Sequence, residues 1–118
     1  MELETLFWQE WMNLLETNAL ILDRPKGTPH PRYPEMIYPL DYGYLEGTTA
    51  SDGDGIDVWS GSLGTKMLTG ILCTFDTIKR DAEIKLLLGC TMDDLKVIRD
   101  FHNQMMRTLF IPNPLTTP

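Results

Sequence analysis

Pro25, Pro29, Pro31, Pro34 and Pro39 punctuate one stretch of the chain and set the strongest limit on its fold. A proline fixes φ and has no N–H to donate, so neither a continuous helix nor a central strand can run through residues 24–40. Regular structure must come before and after this segment. The segment is not filler, because it interleaves Arg24, Lys26, His30 and Arg32 with Tyr33, Tyr38 and Tyr42, and Tyr44 follows. A proline-stiffened loop has less freedom to lose on folding, which suits a segment that must hold polar groups in place.

Upstream, Leu3, Phe7, Trp11, Leu14 and Leu15 recur at helical steps, with Glu4, Gln9, Glu10, Asn13 and Glu16 on the other side. That pattern predicts a helix over 2–17 that packs on the domain or on another subunit. It has no Lys or Arg, which argues against an interfacial anchor. Residues 19–22 read as a strand. Downstream, residues 43–55 are turn-rich and acidic, and 56–59 emerge from them as a strand. Residues 67–75 and 82–88 are β-prone runs joined by a hairpin connection at 76–81. Thr91 and Asp94 have capping-box spacing. Leu95, Ile98, His102, Met105 and Leu109 then predict a helix of roughly five turns. Pro112 and Pro114 end it ahead of a loose Thr-Pro tail.

The 118 residues fit a single domain, which buries about two thirds of the surface its unfolded chain exposes. No repeat is present. Helix, strands, helix is the order of an α+β or β-barrel domain. Met1-Glu2-Leu3-Glu4 lacks the basic start of a secretory signal, and runs such as Leu86-Leu87-Leu88 are too short to cross a bilayer. The two cysteines, Cys73 and Cys90, are too few for a disulfide framework and read as reduced thiols in a cytoplasmic protein. A formal charge of −7 without a basic cluster argues against a nucleic-acid partner. An acidic chain that handles an anion needs cations to bridge the two.

Asp52-Gly53-Asp54-Gly55-Ile56-Asp57 is the sharpest chemical feature. Carboxylates on a glycine-hinged turn can converge on a hard divalent cation, and unpaired they repel one another. An EF-hand fails at Ile56, Asp57 and Leu63, and a calcium β-roll needs tandem copies. An ordinary acidic turn remains open. Asp76 and Asp81, flanking Lys79 and Arg80, read alone as a hairpin tip, and Asp93 and Asp94 as helix-start acids. No zinc spacing involves His30 or His102, and no nucleophile elbow occurs. Gly61-Ser62-Leu63-Gly64-Thr65-Lys66 is a turn, not a phosphate loop. Basic residues, tyrosines and a metal-like acidic turn together are the parts that phosphoanhydride hydrolysis requires. Metals acidify water and neutralise oxygen charge, cations hold the leaving phosphate, and a free carboxylate takes the proton.

Asp23-Arg24-Pro25-Lys26-Gly27-Thr28, His30-Pro31, Tyr38-Pro39, Asp41-Tyr42-Gly43-Tyr44 and Asp52-Gly53-Asp54-Gly55-Ile56-Asp57-Val58 resemble the soluble inorganic pyrophosphatases of family I, in a short and divergent form. The family signature is Tyr-Pro-x-Asn-Tyr-Gly, then Asp-Gly-Asp-Pro-x-Asp-Val. Residues 20–60 carry the resemblance strongly and 66–90 weakly. The resemblance implies a small OB-like β-barrel, mainly β and truncated by the missing early strands, flanked by an N-terminal helix (1–18) and a C-terminal helix (91–110), with the site in 19–90. It implies magnesium-dependent hydrolysis of pyrophosphate to two phosphates in a homo-oligomer. Asp52, Asp57, Asp76 and Asp81 would ligate Mg2+, Asp54 would take the proton of the attacking water, and Tyr42 would lie beside it. Arg24, Lys26, Arg32, Tyr42 and Lys85 would bind substrate.

The chain departs from the family at several of these positions. Gly55 replaces the proline of the acidic motif, and Asp41 replaces the signature Asn. Glu83 stands where a phosphate-binding Lys is usual, with Lys85 one strand repeat further on the same face. The late Tyr-Lys pair has no match near Asn103 and Gln104, and an early Lys and Glu are missing. Two alternatives stay open: a hydrolase of another phosphoanhydride, and a non-catalytic relative that keeps a metal and phosphate site.

Overall fold

Leu86, Leu87 and Leu88 are consecutive and all buried, which in a strand requires a sheet covered on both faces. The computed structural model, which describes residues 2–116, has that arrangement. In chain order the elements are α1 (Leu3–Thr17), β1 (Leu20–Arg24), β2 (Asp41–Leu45), β3 (Ile56–Ser60), β4 (Leu68–Asp76), β5 (Asp81–Leu88), α2 (Met92–Asn103) and β6 (Arg107–Pro112). The strands form one six-stranded sheet in the order β1-β2-β3-β5-β4-β6. Only the β3–β5 pair is parallel, because the chain leaves β3 across the sheet and returns through the β4–β5 hairpin.

Strand alternation divides the core in two. Tyr42, Trp59, Leu72 and Leu87 face α2, where they pack with Leu95, Ile98 and Phe101. Leu45, Val58, Ile71, Leu86 and Leu88 face α1, where they pack with Trp8 and Leu15. Burying such a side chain contributes about 1.5–3 kcal/mol. The capping box of α2 is as its sequence predicts. Thr91 Oγ1 accepts the Asp94 N–H at 3.0 Å, and Asp94 Oδ2 accepts the Thr91 N–H at 2.9 Å. Asp94 also accepts the Ser62 N–H and hydroxyl. Burial pushes its pKa up, but these hydrogen bonds win and hold it below the ordinary value.

The mainly β class with flanking helices matches expectation, and the truncation of the barrel leaves an open sheet. Its order ends at β1 and β6, which do not pair among the described residues. Two elements differ from the sequence reading. Residues 43–45, read as turn, belong to β2, because Gly43 lets β1 approach where a Cβ would collide with the Ile21 carbonyl oxygen. The expected 91–110 helix stops at Asn103, and Leu109 lies on strand β6 instead of a helix face. β6 supplies the partner that β4 needs along Gly70–Phe75, and its Thr, Phe and Ile suit a strand. Arg99 fixes it to α2 through the Thr108 hydroxyl and carbonyl at 3.1 and 3.2 Å.

Pro112 therefore ends a strand, not a helix. The tail expected to be loose is tied as far as Thr116, whose hydroxyl donates to the Leu68 carbonyl at 2.9 Å. Met1 and the Thr117-Pro118 end lie outside the described residues. No described helix is long and apolar enough to cross a membrane.

Candidate active site

α2 covers only half of the sheet face it packs on. Beyond its end the same face carries polar side chains and opens into a cleft of about 780 Å3. Leu72 is core, whereas Thr74 and Asp76 on the same side of β4 line the cleft. Leu87 is core, whereas Lys85, Glu83 and Asp81 of β5 line it. Asp57 of β3 and Tyr42 of β2 reach it from the other side, with the 52–55 turn above.

The acidic turn is built by its own backbone. Gly53 takes a left-handed φ of 89°, and the Gly53 N–H donates to the Ala50 carbonyl at 3.0 Å. Asp52 Oδ1 accepts the Asp54 N–H at 3.0 Å, which leaves the exposed Asp54 carboxylate turned to the cleft. Gly55 has a packing reason. A Cβ there would lie 2.7 Å from the Tyr44 ring, so the family proline does not fit without moving Tyr44.

Asp76 and Asp81 are cross-strand partners at the end of the β4–β5 hairpin. Directly opposed like charges destabilise a sheet pair unless a cation lies near. Asp76 is buried, and its Oδ1 accepts the N–H groups of Ile78 and Lys79 at 2.9 and 3.1 Å. Asp52, Asp54, Asp57, Asp76 and Asp81 offer only hard oxygen donors to one cleft, which suits magnesium chemically. Among the described residues no three His, Cys, Asp or Glu side chains are gathered into a ready-made cage.

Lys85 is 4% exposed, and its ammonium donates to Asp57 Oδ2 at 2.8 Å, Tyr42 OH at 2.9 Å and Glu83 Oε2 at 3.0 Å. A lysine has three N–H donors, and all three are spent here. Burial alone would lower its pKa, but Tyr42, Asp57 and Glu83 more than reverse that and keep it charged. Burial pushes the Glu83 carboxyl up further than Lys85 pulls it down, since one ammonium is shared between two acids. Burial also pushes the Tyr42 phenol well above its ordinary value, so Tyr42 stays protonated.

Arg24 lines the cleft, donates to Tyr38 OH at 2.7 Å and sits over the rings of Tyr38 and Tyr42 at 5.8 and 5.9 Å. His30 stacks on Tyr38 at 6.0 Å, and its pKa is lowered by burial and then by Arg24, Lys79 and Arg32. Lys26 and Arg32 are exposed and lie outside the cleft lining. The Lys26 N–H donates to Asp41 Oδ1 at 2.8 Å, and Arg32 rests over Tyr33 at 5.6 Å.

The cleft thus gathers Arg24, Tyr42, Asp52, Asp54, Asp57, Asp76, Asp81 and Lys85, and leaves out Lys26 and Arg32. It adds Lys79 and Glu83, which the sequence reading did not number among the site residues. The spacing of Asp76 and Asp81 held the signal for Lys79, since a hairpin that turns both acids to a site carries its tip along.

A family model described as inorganic pyrophosphatase matches residues 14–86. Among curated proteins, the inorganic pyrophosphatase of Corynebacterium glutamicum is 48% identical over 42 residues, 36% of this chain and 23% of that protein. The chain therefore matches about a quarter of the length of that curated relative. Among solved structures, an inorganic pyrophosphatase from Coxiella burnetii aligns with 81% of this chain and 78% of its own, at 17% identity and a TM-score of 0.47. The family match takes in the acidic turn, the hairpin acids and Lys85 together, and this chain belongs to the inorganic pyrophosphatase family.

Proposed function

We propose that this chain hydrolyses inorganic pyrophosphate to two phosphates with magnesium as its cofactor. Family membership supports the reading, and one geometric observation carries it. The 52–57 turn and the Asp76–Asp81 hairpin end, remote in sequence, open into one cleft with Arg24 and Tyr42. Asp52, Asp76 and Asp81 would supply oxygen ligands for magnesium, and Asp57 completes the acid set of the cleft with its Oδ2 on Lys85. Bound magnesium would acidify the attacking water and offset charge on the phosphate oxygens.

Asp54 is the general base: its carboxylate, exposed at the cleft, takes the proton of the attacking water. Tyr42, held protonated by burial, fixes the floor beside the acids. Arg24 carries the anion-binding role, with Lys79 entering from the hairpin tip. Lys26 and Arg32, outside the cleft, add only long-range attraction for the anion. The chain works as a single domain in the cytoplasm, as a homo-oligomer without nucleic-acid or membrane partners. The −7 charge, the free Cys73 and Cys90, and the exposed Leu3 and Phe7 of α1 support that placement.

The test is phosphate release from pyrophosphate by the full chain, with and without magnesium and beside ATP. Magnesium-dependent release with pyrophosphate preferred is the expected result, and preference for ATP would move the activity to another phosphoanhydride. The neutralisation of Asp57 by Lys85 favours a second reading, a non-catalytic phosphate-binding protein. No release with magnesium, manganese or cobalt, together with phosphate binding by the folded chain in titration calorimetry, would support it instead.

A further inference from the structure

Lys85 is the most buried charge of the cleft, and its neighbours are those a cation would choose. Its Nζ lies 2.8 Å from Asp57 Oδ2 and 3.0 Å from Glu83 Oε2, with Tyr42 OH at 2.9 Å completing the shell. A divalent ion at that point would meet the same oxygens, a hard set of two carboxylates and a phenol. Both cannot be there, since two cations at contact distance repel strongly in a partly desolvated site. Nor can Lys85 leave at little cost, because withdrawal would forfeit the three charge-assisted hydrogen bonds of a buried ammonium, which an incoming ion would have to outweigh.

We infer that the Lys85 ammonium stands in for one divalent ion of the site, so that Asp57 and Glu83 bind no metal. The inference rests on the pyrophosphatase reading for the remaining ions, which fall to Asp52, Asp76 and Asp81. It assigns Lys85 as a positioning residue: a fixed charge that holds Asp57 and Tyr42 in place, with no N–H left over for phosphate. It also gives Glu83 a role. The acid at this position supplies the second carboxylate that keeps the ammonium bound beside Asp57.

The experiment counts bound Mn2+ by titration calorimetry and by the spin resonance of free Mn2+, on the full chain and on folded variants checked by circular dichroism. Lys85→Met, which keeps the stem and removes the charge, is expected to bind about one more equivalent than the parent protein, because Asp57 and Glu83 become available ligands. An unchanged count in folded Lys85→Met overturns the inference. Should Lys85→Met not fold, the Asp57→Asn/Glu83→Gln pair decides. An unchanged count there supports the inference, and a lost equivalent overturns it while leaving the metal-dependent reading intact. A parent protein that binds no Mn2+ would remove that reading, and the inference with it.

Discussion

One face of the sheet is dry at one end and charged at the other, within the same strands. On β4 the sequence along that face runs Leu72, Thr74, Asp76, and on β5 it runs Leu87, Lys85, Glu83, Asp81. On β3, Trp59 is fully buried and Asp57 is not. Nothing in strand geometry separates the two halves, since residues two apart share a face. The difference is cover: Leu95, Ile98 and Phe101 lie over the dry half, and α2 ends at Asn103. Alternation decides which side chains share a face, and the length of the covering helix decides where core gives way to site.

The comparison is broken most easily in the dry half. Trp59 contacts the rings of Tyr38, Tyr42, Phe101 and His102, so Trp59→Ala should cost about 3–5 kcal/mol of stability, read from the urea midpoint. A loss below 1 kcal/mol, the scale of a surface change, would mean that this half is not a packed core. Leu87→Ala should cost about 2–5 kcal/mol by the same mechanism.

The border between the halves is sharpened by pH. His102 accepts the Trp59 indole N–H at 3.0 Å, and burial, aided by Lys85 and His30, pushes its pKa down to about 3. A histidine depressed on folding stabilises above its ordinary value of 6.5, and that stability is lost as pH falls from there toward 3. The loss should approach about 1.4 kcal/mol per pH unit. His102→Gln, less stable at pH 7, should flatten the dependence across that window; an equally steep variant would place the titration elsewhere.

In the charged half the effects on stability are smaller and opposite in sign. Asp81→Asn removes one of two opposed carboxylates, so without metal it should stabilise by about 0.2–1 kcal/mol. Added magnesium should raise the melting temperature of the parent more than that of the variant. Equal magnesium shifts would detach Asp81 from the metal.

The sequence made the charged half more legible than its border. The Asp52–Asp57 turn, the Asp76–Asp81 spacing and the Thr91–Asp94 cap are local patterns, and the structure forms each of them. β6 was hidden because Met105 and Leu109 continue the helical phase of Ile98 and His102, and only pairing with β4 reveals a strand. Gly43 read as a turn because its use, a close approach of β1, depends on a partner strand. Lys85 lay on the right face by alternation, but its partners Asp57 and Tyr42 arrive through β3 and β2 pairings that one strand cannot show.

The most direct measurement is kcat for pyrophosphate in Asp54→Asn beside its Mn2+ binding. A carboxylate that takes the proton but does not bind the metal should lose about 10²–10⁴-fold in kcat while the bound Mn2+ count stays that of the parent. Turnover retained in a folded, metal-loaded variant would contradict Asp54 as the base, and with it the division of the cleft into metal-holding and proton-taking acids.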